Sequence, residues 1–372
     1  MRTISATKPK LASHYYSSQP MRKLCTSLAL LGGLWMSQAA VNAADVVVRR
    51  GNQRDGGKIT KVSKTEVALT KQVGGEMTIP VNEIDFIEWD GAPASMGLGR
   101  SSLAAGQLDA AQKQLEQAQK EAAAADNSGL KGDLEYLLGK VLAEKAMADG
   151  SQQAAAIEKL KAYTTGNRDH YRTFDGQLLL GDVAVAAGDY ATAVSAFTSV
   201  GSAPWQDYKM AAQIGQGRVL LAQNNVDGAK REFDAVAAVA AETAGEKSRR
   251  LEGLLGQARC QQAQQQWQPA IDNLKKVIDE STPSDSRLQA EAYILQGDCF
   301  TGSGANPKEA ILAYLHVDVI PALSKETDLH AEALYHLARL WKQIGQDERA
   351  RDAADALRNL YAESSWAKKL SG

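Results

Sequence analysis

One spacing recurs seven times between Leu98 and the C-terminus, and it leaves little room for a globular fold. Each copy places a small residue, usually Gly, in a helix-forming run. An Ala follows about twelve residues later, a bulky apolar residue four further on, and another apolar residue three beyond that. The clearest copy is Gly181, Gly188-Asp189-Tyr190, Ala193, Phe197, Val200 and Pro204; the next is Gly217, Ala229, Phe233 and Val236. A unit this short buries only one face by itself, so the copies must stack to make a core. The small positions are Gly99, Gly139, Gly181, Gly217, Ala258, Gly297 and Ala338, 36 to 42 residues apart. Turn-forming stretches such as Thr165-Gly166-Asn167 and Gly201-Ser202-Ala203-Pro204 separate them. Each unit therefore reads as helix, short turn, helix, longer loop.

The Ala positions Ala111, Ala193, Ala229, Ala270, Ala310 and Ala350 are expected where the two helices cross, because a small side chain lets the axes approach to about 8–10 Å. Asp207 and Gln223 are expected to be exposed. The bulky position holds Leu115, Phe197, Phe233, Leu274 and Tyr314, with Ala354 in the last copy. The copy after Gly139 is irregular: its second helix, near Ile157 to Tyr163, starts late and lengthens the first. Over residues 98–366 this grammar resembles the tetratricopeptide repeat. That resemblance implies a mainly α fold, a right-handed α-solenoid whose concave groove binds proteins or peptides without a cofactor. Leu360 to Ala367 is also similar to the "YPxSxxA" turn of bacterial envelope proteins of this kind, with Ala362 in the place of Pro.

Ahead of the array, residues 44–92 read as β. Asp45 to Val48 is β-branched, Asp55-Gly56-Gly57 looks like a turn before Lys58 to Val62, and Gly74-Gly75 marks a hairpin. Glu83 to Trp89 is a last strand with Ile84 and Phe86 on one face and Ile87 and Trp89 on the other. Five short strands in so few residues suggest a small barrel-like domain, similar in pattern to SH3-like and Sm-like barrels. Residues 93–372 form the array, linked through Ala92-Pro93-Ala94-Ser95.

Residues 1–43 read as a targeting segment. Met21-Arg22-Lys23 precedes an apolar run from Leu24 to Met36, and Val41-Asn42-Ala43 supplies a small-residue cleavage site. The run is shorter than the roughly 20 residues a membrane span needs. The expectation is export to the periplasm or beyond, with cleavage after Ala43. Residues 1–20 are either an extension of the basic region or lie upstream of a start at Met21. Of the cysteines, Cys260 and Cys299 occupy equivalent positions in successive repeats. Stacked helices hold such positions about 9–10 Å apart, beyond the roughly 7 Å a disulfide spans, so both are expected to be buried and unpaired.

The formal net charge is −2 and the pI is near 6.3, which speaks against nucleic acid as a partner. No catalytic or phosphate-binding motif is present, and the histidines show no metal-ligand spacing; no enzyme activity, cofactor or metal is expected. The residue after each small position should face the groove. It is Arg100, Lys140, Asp182, Arg218, Arg259, Asp298 or Arg339, five of the seven basic. One helical turn earlier stand Tyr136, Leu178, Ile214, Leu255, Ile294 and Tyr335. Arg100, Lys140, Arg218, Arg259 and Arg339 with Tyr136 and Tyr335 thus form a candidate groove for a protein or peptide carrying carboxylates. Two alternatives stand beside it: Arg218 and Arg259 pair internally with Glu252 and Glu291, or the array serves a self-assembling homo-oligomer.

Overall fold

The computed structural model describes residues 44–71 and 73–371; residues 1–43, expected to target the chain, lie outside the described residues. Five antiparallel strands open the described residues: β1 (Asp45–Arg49), β2 (Arg54–Val62), β3 (Glu66–Lys71), β4 (Gly75–Pro80) and β5 (Ile84–Glu88). Their spatial order is β4-β3-β2-β1-β5. A 3-10 turn at Val81–Glu83 carries the chain from one edge to the other, where β5 pairs with β1. The Asp55-Gly56-Gly57 stretch is not a turn but lies inside β2. Gly57 is needed there for close approach: a Cβ on it would stand 2.5 Å from the Thr70 carbonyl oxygen. The turn falls instead at Gly51 and Asn52, both at positive φ.

Fifteen helices follow: α1 (Ala94–Ala104), α2 (Leu108–Glu121), α3 (Ser128–Ala148), α4 (Gln153–Gly166), α5 (Thr173–Ala186), α6 (Tyr190–Gly201), α7 (Gln206–Ala222), α8 (Val226–Ala237), α9 (Ala244–Ala263), α10 (Trp267–Glu280), α11 (Ser286–Gly302), α12 (Pro307–Val319), α13 (Thr327–Gln343), α14 (Asp347–Leu360) and α15 (Ser365–Ser371). They make seven antiparallel pairs and a short closing helix, a solenoid of the expected register. All six crossing alanines are buried. Asp207, in contrast, is buried at the start of α7 beside Arg50, whereas Gln223 is exposed. The irregular second pair has the long α3 and a 3-10 turn at Gly150–Gln152 before α4.

The small residues have a specific task. A Cβ on Gly181 would stand 2.5 Å from the Phe197 ring, and one on Gly217 would stand 2.7 Å from Phe233. The following repeat closes the other side. A Cβ on Gly215 would meet Phe197 at 2.3 Å, and one on Gly256 would meet Phe233 at 2.2 Å. Each aromatic ring is thus held between two glycines, one from its own pair and one from the next. Real Cβ atoms do not approach rings this closely, so any larger residue forces the helices apart.

The turns inside the pairs share one geometry. Gly106, Gly188, Asn224, Gln265, Gly304 and Gly345 all adopt φ between 59° and 73° or, for Gly188, 75°. The next amide reaches back five residues, as in Asn225 N–H to Leu220 O at 2.8 Å and Gln266 N–H to Gln261 O at 2.8 Å. This is a helix C-terminal αL closure, which satisfies carbonyls the helix leaves open. Helix starts are capped by side chains: Asn127, Asp189 and Asn225 accept from backbone amides, and Thr243 forms a capping box with Glu246.

The sheet shares its core with the array. Val47, Val67, Leu69, Ile79 and Ile87 lie in one apolar cluster with Met96, Leu115, Leu130 and Leu134. Cys260 and Cys299 are free and buried, and burial pushes their thiols up to about 11 and about 12. Among the described residues no helix is long and apolar enough to cross a membrane.

Candidate functional site

First helices of successive pairs pack on one another, α3 on α5, α5 on α7, α7 on α9, α9 on α11 and α11 on α13, whereas the second helices make no comparable contact with each other. The first helices therefore form the inner, tighter wall of the curve, and residues facing away from their second helices line a groove. This is where the residue after each small position was expected.

The groove carries a ladder of alternating charge rather than a free basic stripe. Arg218 on α7 lies 3.0 Å from Asp182 on α5 and 3.6 Å from Glu252 on α9, which also holds Arg249 at 2.6 Å. Arg259 on α9 reaches Glu291 on α11 at 2.9 Å, and Glu291 also takes Arg287 at 3.3 Å. Arg287 continues to Asp328 on α13 at 2.8 Å and to Glu326 at 3.5 Å. Every rung but the local ones joins two repeats. Burial works to raise the Glu291 carboxyl, but Arg259, Arg287 and Arg218 together hold it below its ordinary range. Burial opposes the charge on Arg218, yet Asp182 and Glu252 raise it. Each such half-exposed pair contributes about 0–1 kcal/mol; the ladder fixes register between repeats more than it adds stability. Glu252 and Glu291 were visible in the sequence as alternative partners. Arg249 and Arg287 were not singled out, although each lies one helical turn before its carboxylate, the spacing of a helical ion pair.

The other expected groove residues divide. Lys140 is half-exposed and lies 3.9 Å from Glu144. Arg100 belongs to the sheet junction: its guanidinium donates to the Ile87 carbonyl at 3.0 Å and lies over the Phe86 ring at 4.8 Å. Tyr136 is 8% exposed and lies in the core between Tyr163 and Arg172, out of a partner's reach. Burial raises its hydroxyl above the usual range. Only Arg339 is exposed with no carboxylate within 4.0 Å among the described residues. It donates to the Tyr335 hydroxyl at 3.2 Å, and Tyr335 packs in turn on Trp366.

The C-terminal end of the groove differs from the rest. Asp298 accepts from the Tyr314 hydroxyl at 2.7 Å, and the Tyr314 ring stacks on His336 at 4.7 Å. Glu332 shares the α13 face with His336. Burial first, and Asp298 second, push its carboxyl up to about 7, against the pull of Arg259 and Lys369. Among the described residues no group of three or more His, Cys, Asp or Glu could hold a metal ion.

A second polar constellation, which sequence patterning missed, ties the sheet to the helices. Asp133 on α3 is 3% exposed. It accepts from Trp89 Nε1 at 2.7 Å and from the Tyr171 hydroxyl at 2.7 Å. Arg172 donates to Asp175 at 2.9 Å and to the Asp85 carbonyl, lies 3.9 Å from Asp133, and sits over the Tyr136 and Tyr171 rings. Tyr208 on α7 donates to Asp175 at 2.6 Å. The sheet is thus bonded to the helices through β5 and Trp89, to α3 and the start of α5, and through Arg50 of the β1–β2 turn to Asp207 on α7.

With stacked helix pairs, ring-between-glycine packing and a first-helix inner wall in place, the fold is a solenoid of tetratricopeptide-like helix pairs. Two tetratricopeptide-repeat profiles match it, one over residues 178–244 and the other over residues 252–281 and 332–364. Among solved structures it is similar to a Rap protein complexed with competence and sporulation factor, with 13% identity over 74% of this chain and 75% of that one and a TM-score of 0.51. It also resembles a tetratricopeptide repeat protein from Parabacteroides merdae ATCC 43184, with 16% identity over 74% and 95% of the two chains and a TM-score of 0.45. These likenesses are of fold. No curated protein matches the chain in sequence.

Proposed function

We propose that this protein is an exported, non-enzymatic scaffold or adaptor that holds a protein or peptide partner against the inner wall of its repeat array, in the periplasm or outside the cell. The observation that carries the reading is the groove itself: rigid first helices, fixed in register by ion pairs, present charged and aromatic side chains with no catalytic arrangement among them. Such surfaces recognise extended or helical segments. The similar Rap structure is itself a complex with a factor. Export rests on the Met21–Ala43 pattern.

A partner rich in carboxylates meets Arg339 first, because that guanidinium is exposed and has no carboxylate within 4.0 Å among the described residues. Arg218 and Arg259 join only by exchanging Asp182, Glu252 or Glu291 for the partner's acids. Co-purification from the native envelope followed by mass spectrometry identifies the partner. Arg339→Glu should then lower capture at least tenfold with unchanged helical content, the loss of about 1.5–3 kcal/mol expected of a charged hydrogen bond. Unchanged capture would remove Arg339 from the binding surface. Self-association is a second reading, favoured by the exposed Leu312, Val319 and Leu360 on α12 and α14, which are 57%, 64% and 62% exposed. A defined oligomer in light scattering would support it.

A further inference from the structure

The two ends of the array meet. Helix α13 of the seventh pair touches α3 of the second. The turn between α1 and α2 presses on the loop before α13: a Cβ on Gly106 would stand 2.9 Å from the Lys325 carbonyl oxygen and 3.0 Å from Thr327 Cγ2. Lys368 on α15 lies 3.7 Å from Asp149 at the end of α3. The inner wall therefore runs round from α3 to α13 and closes on itself.

This seam is built unlike the contacts between neighbouring repeats. Those contain a buried ring or apolar cluster. Across the seam, among the described residues, no apolar side chain packs against both the cluster of the sheet and α1–α4 and the cluster of α11–α15, whereas Leu179 packs against the clusters on both sides of it within the array. The Lys368–Asp149 pair is largely solvated, with Lys368 54% exposed, and such pairs hold little. Charged groups also meet there: Glu144 on α3 feels Glu326 before α13 and Asp328 on it, and both acids are paired with Arg287 of α11.

We propose that the array is a ring fastened by a weak polar seam between the first two pairs and the seventh, and that it opens at this seam while all other repeat contacts stay intact. Segments with few apolar contacts and solvated hydrogen bonds are the first to open. The ring goes beyond the partner reading and does not depend on it. A segment lying along the inner wall is encircled when the seam is shut, and a folded domain is admitted only when it is open.

The turn positions supply a matched test. Gly106 and Gly188 share the same turn geometry, with φ of 71° and 75°, but a side chain on Gly188 meets nothing within 4 Å. Gly106→Arg and Gly188→Arg therefore impose the same turn strain, and only the first drives a wedge into the seam. Small-angle X-ray scattering from the full chain is expected to fit the closed ring for the unaltered protein and for Gly188→Arg. Gly106→Arg should show a larger radius of gyration and maximum dimension at equal helical content by circular dichroism. Identical scattering from all three chains would overturn the proposal, as would equal expansion of both variants.

Discussion

The contact between repeats and the junction between sheet and helices solve the same problem with opposite materials. Phe197 and Phe233 each lie between two glycines and use only apolar contact, and the arrangement recurs along the array. The junction occurs once and is polar: Asp133 collects Trp89 and Tyr171, while Arg172 spans Asp175, Asp85 and two rings. Apolar contacts are non-directional, and a lost methyl group removes a share of the stabilisation. A buried polar network is all-or-none, because each member removed leaves others without partners in a low dielectric. The array should therefore degrade gradually under mutation and the junction abruptly.

The largest expected effect follows directly. Asp133→Ala strips the Trp89 indole N–H and the Tyr171 hydroxyl of their acceptor and takes a carboxylate from beside Arg172. A loss of about 3–5 kcal/mol is expected from breaking a buried charged network. Asp133→Asn, which keeps an acceptor oxygen, should lose less. Chemical denaturation followed by Trp fluorescence measures both. If Asp133→Ala costs under about 1 kcal/mol, the junction is not the abrupt element described here.

The same contrast explains what could be read in the sequence. Ala193, Phe197, Gly217 and Phe233 announce themselves because their positions repeat, so seven pairs, their crossings and the irregular α3–α4 unit were all legible. Asp133, Tyr171 and Arg172 have no second copy and no spacing, and Trp89 reaches Asp133 across 44 residues of chain. Asp207 misled for a related reason. At the start of a helix it reads as a solvated first-turn acid, and only the fold brings Arg50 of the β1–β2 turn against it. In the groove, the positions of Arg218 and Arg259 were legible and their engagement with Glu252 and Glu291 was foreseeable. Tyr136 was misplaced because here the sheet packs against the first pairs and takes the ring into its core, between Tyr163 and Arg172.

A second prediction sets two carboxylates against each other. Asp133 has two hydrogen-bond donors and the Arg172 guanidinium around it, whereas Glu332 has burial and Asp298 acting on it and is pushed up to about 7. A folded-state value above the ordinary 4.5 means that the native protein binds this proton more tightly than the unfolded chain. Its stabilising contribution is full below about 4.5, is lost as pH rises toward about 7, and stays lost above that. At about 1.4 kcal/mol per unit, reduced for partial solvation, the loss is roughly 1–3 kcal/mol. Glu332→Gln should therefore melt higher than the unaltered protein at pH 8 and alike at pH 4. An equal gap at both pH values would place Glu332 in solvent, with the repeats free of charge strain.

The smallest effect asks how uniform the repeats are. Six turns share the left-handed closure, yet four use Gly, one uses Asn224 and one uses Gln265 at φ 59°. A side chain with a Cβ is disfavoured there by about 1–2 kcal/mol, and Asn relieves part of this through local hydrogen bonding. Gln265 is exposed, so replacing it removes strain without opening a cavity. Glycine also gives the unfolded chain more freedom, which offsets part of the gain. Gln265→Gly should thus stabilise by about 0.5–1 kcal/mol and Asn224→Gly by less, measured as shifts in the denaturation midpoint at constant slope. If Gln265→Gly destabilises, the α9–α10 turn is held by something other than its αL residue. The repeats would then be less interchangeable than their shared packing implies, and the contrast with the junction would narrow.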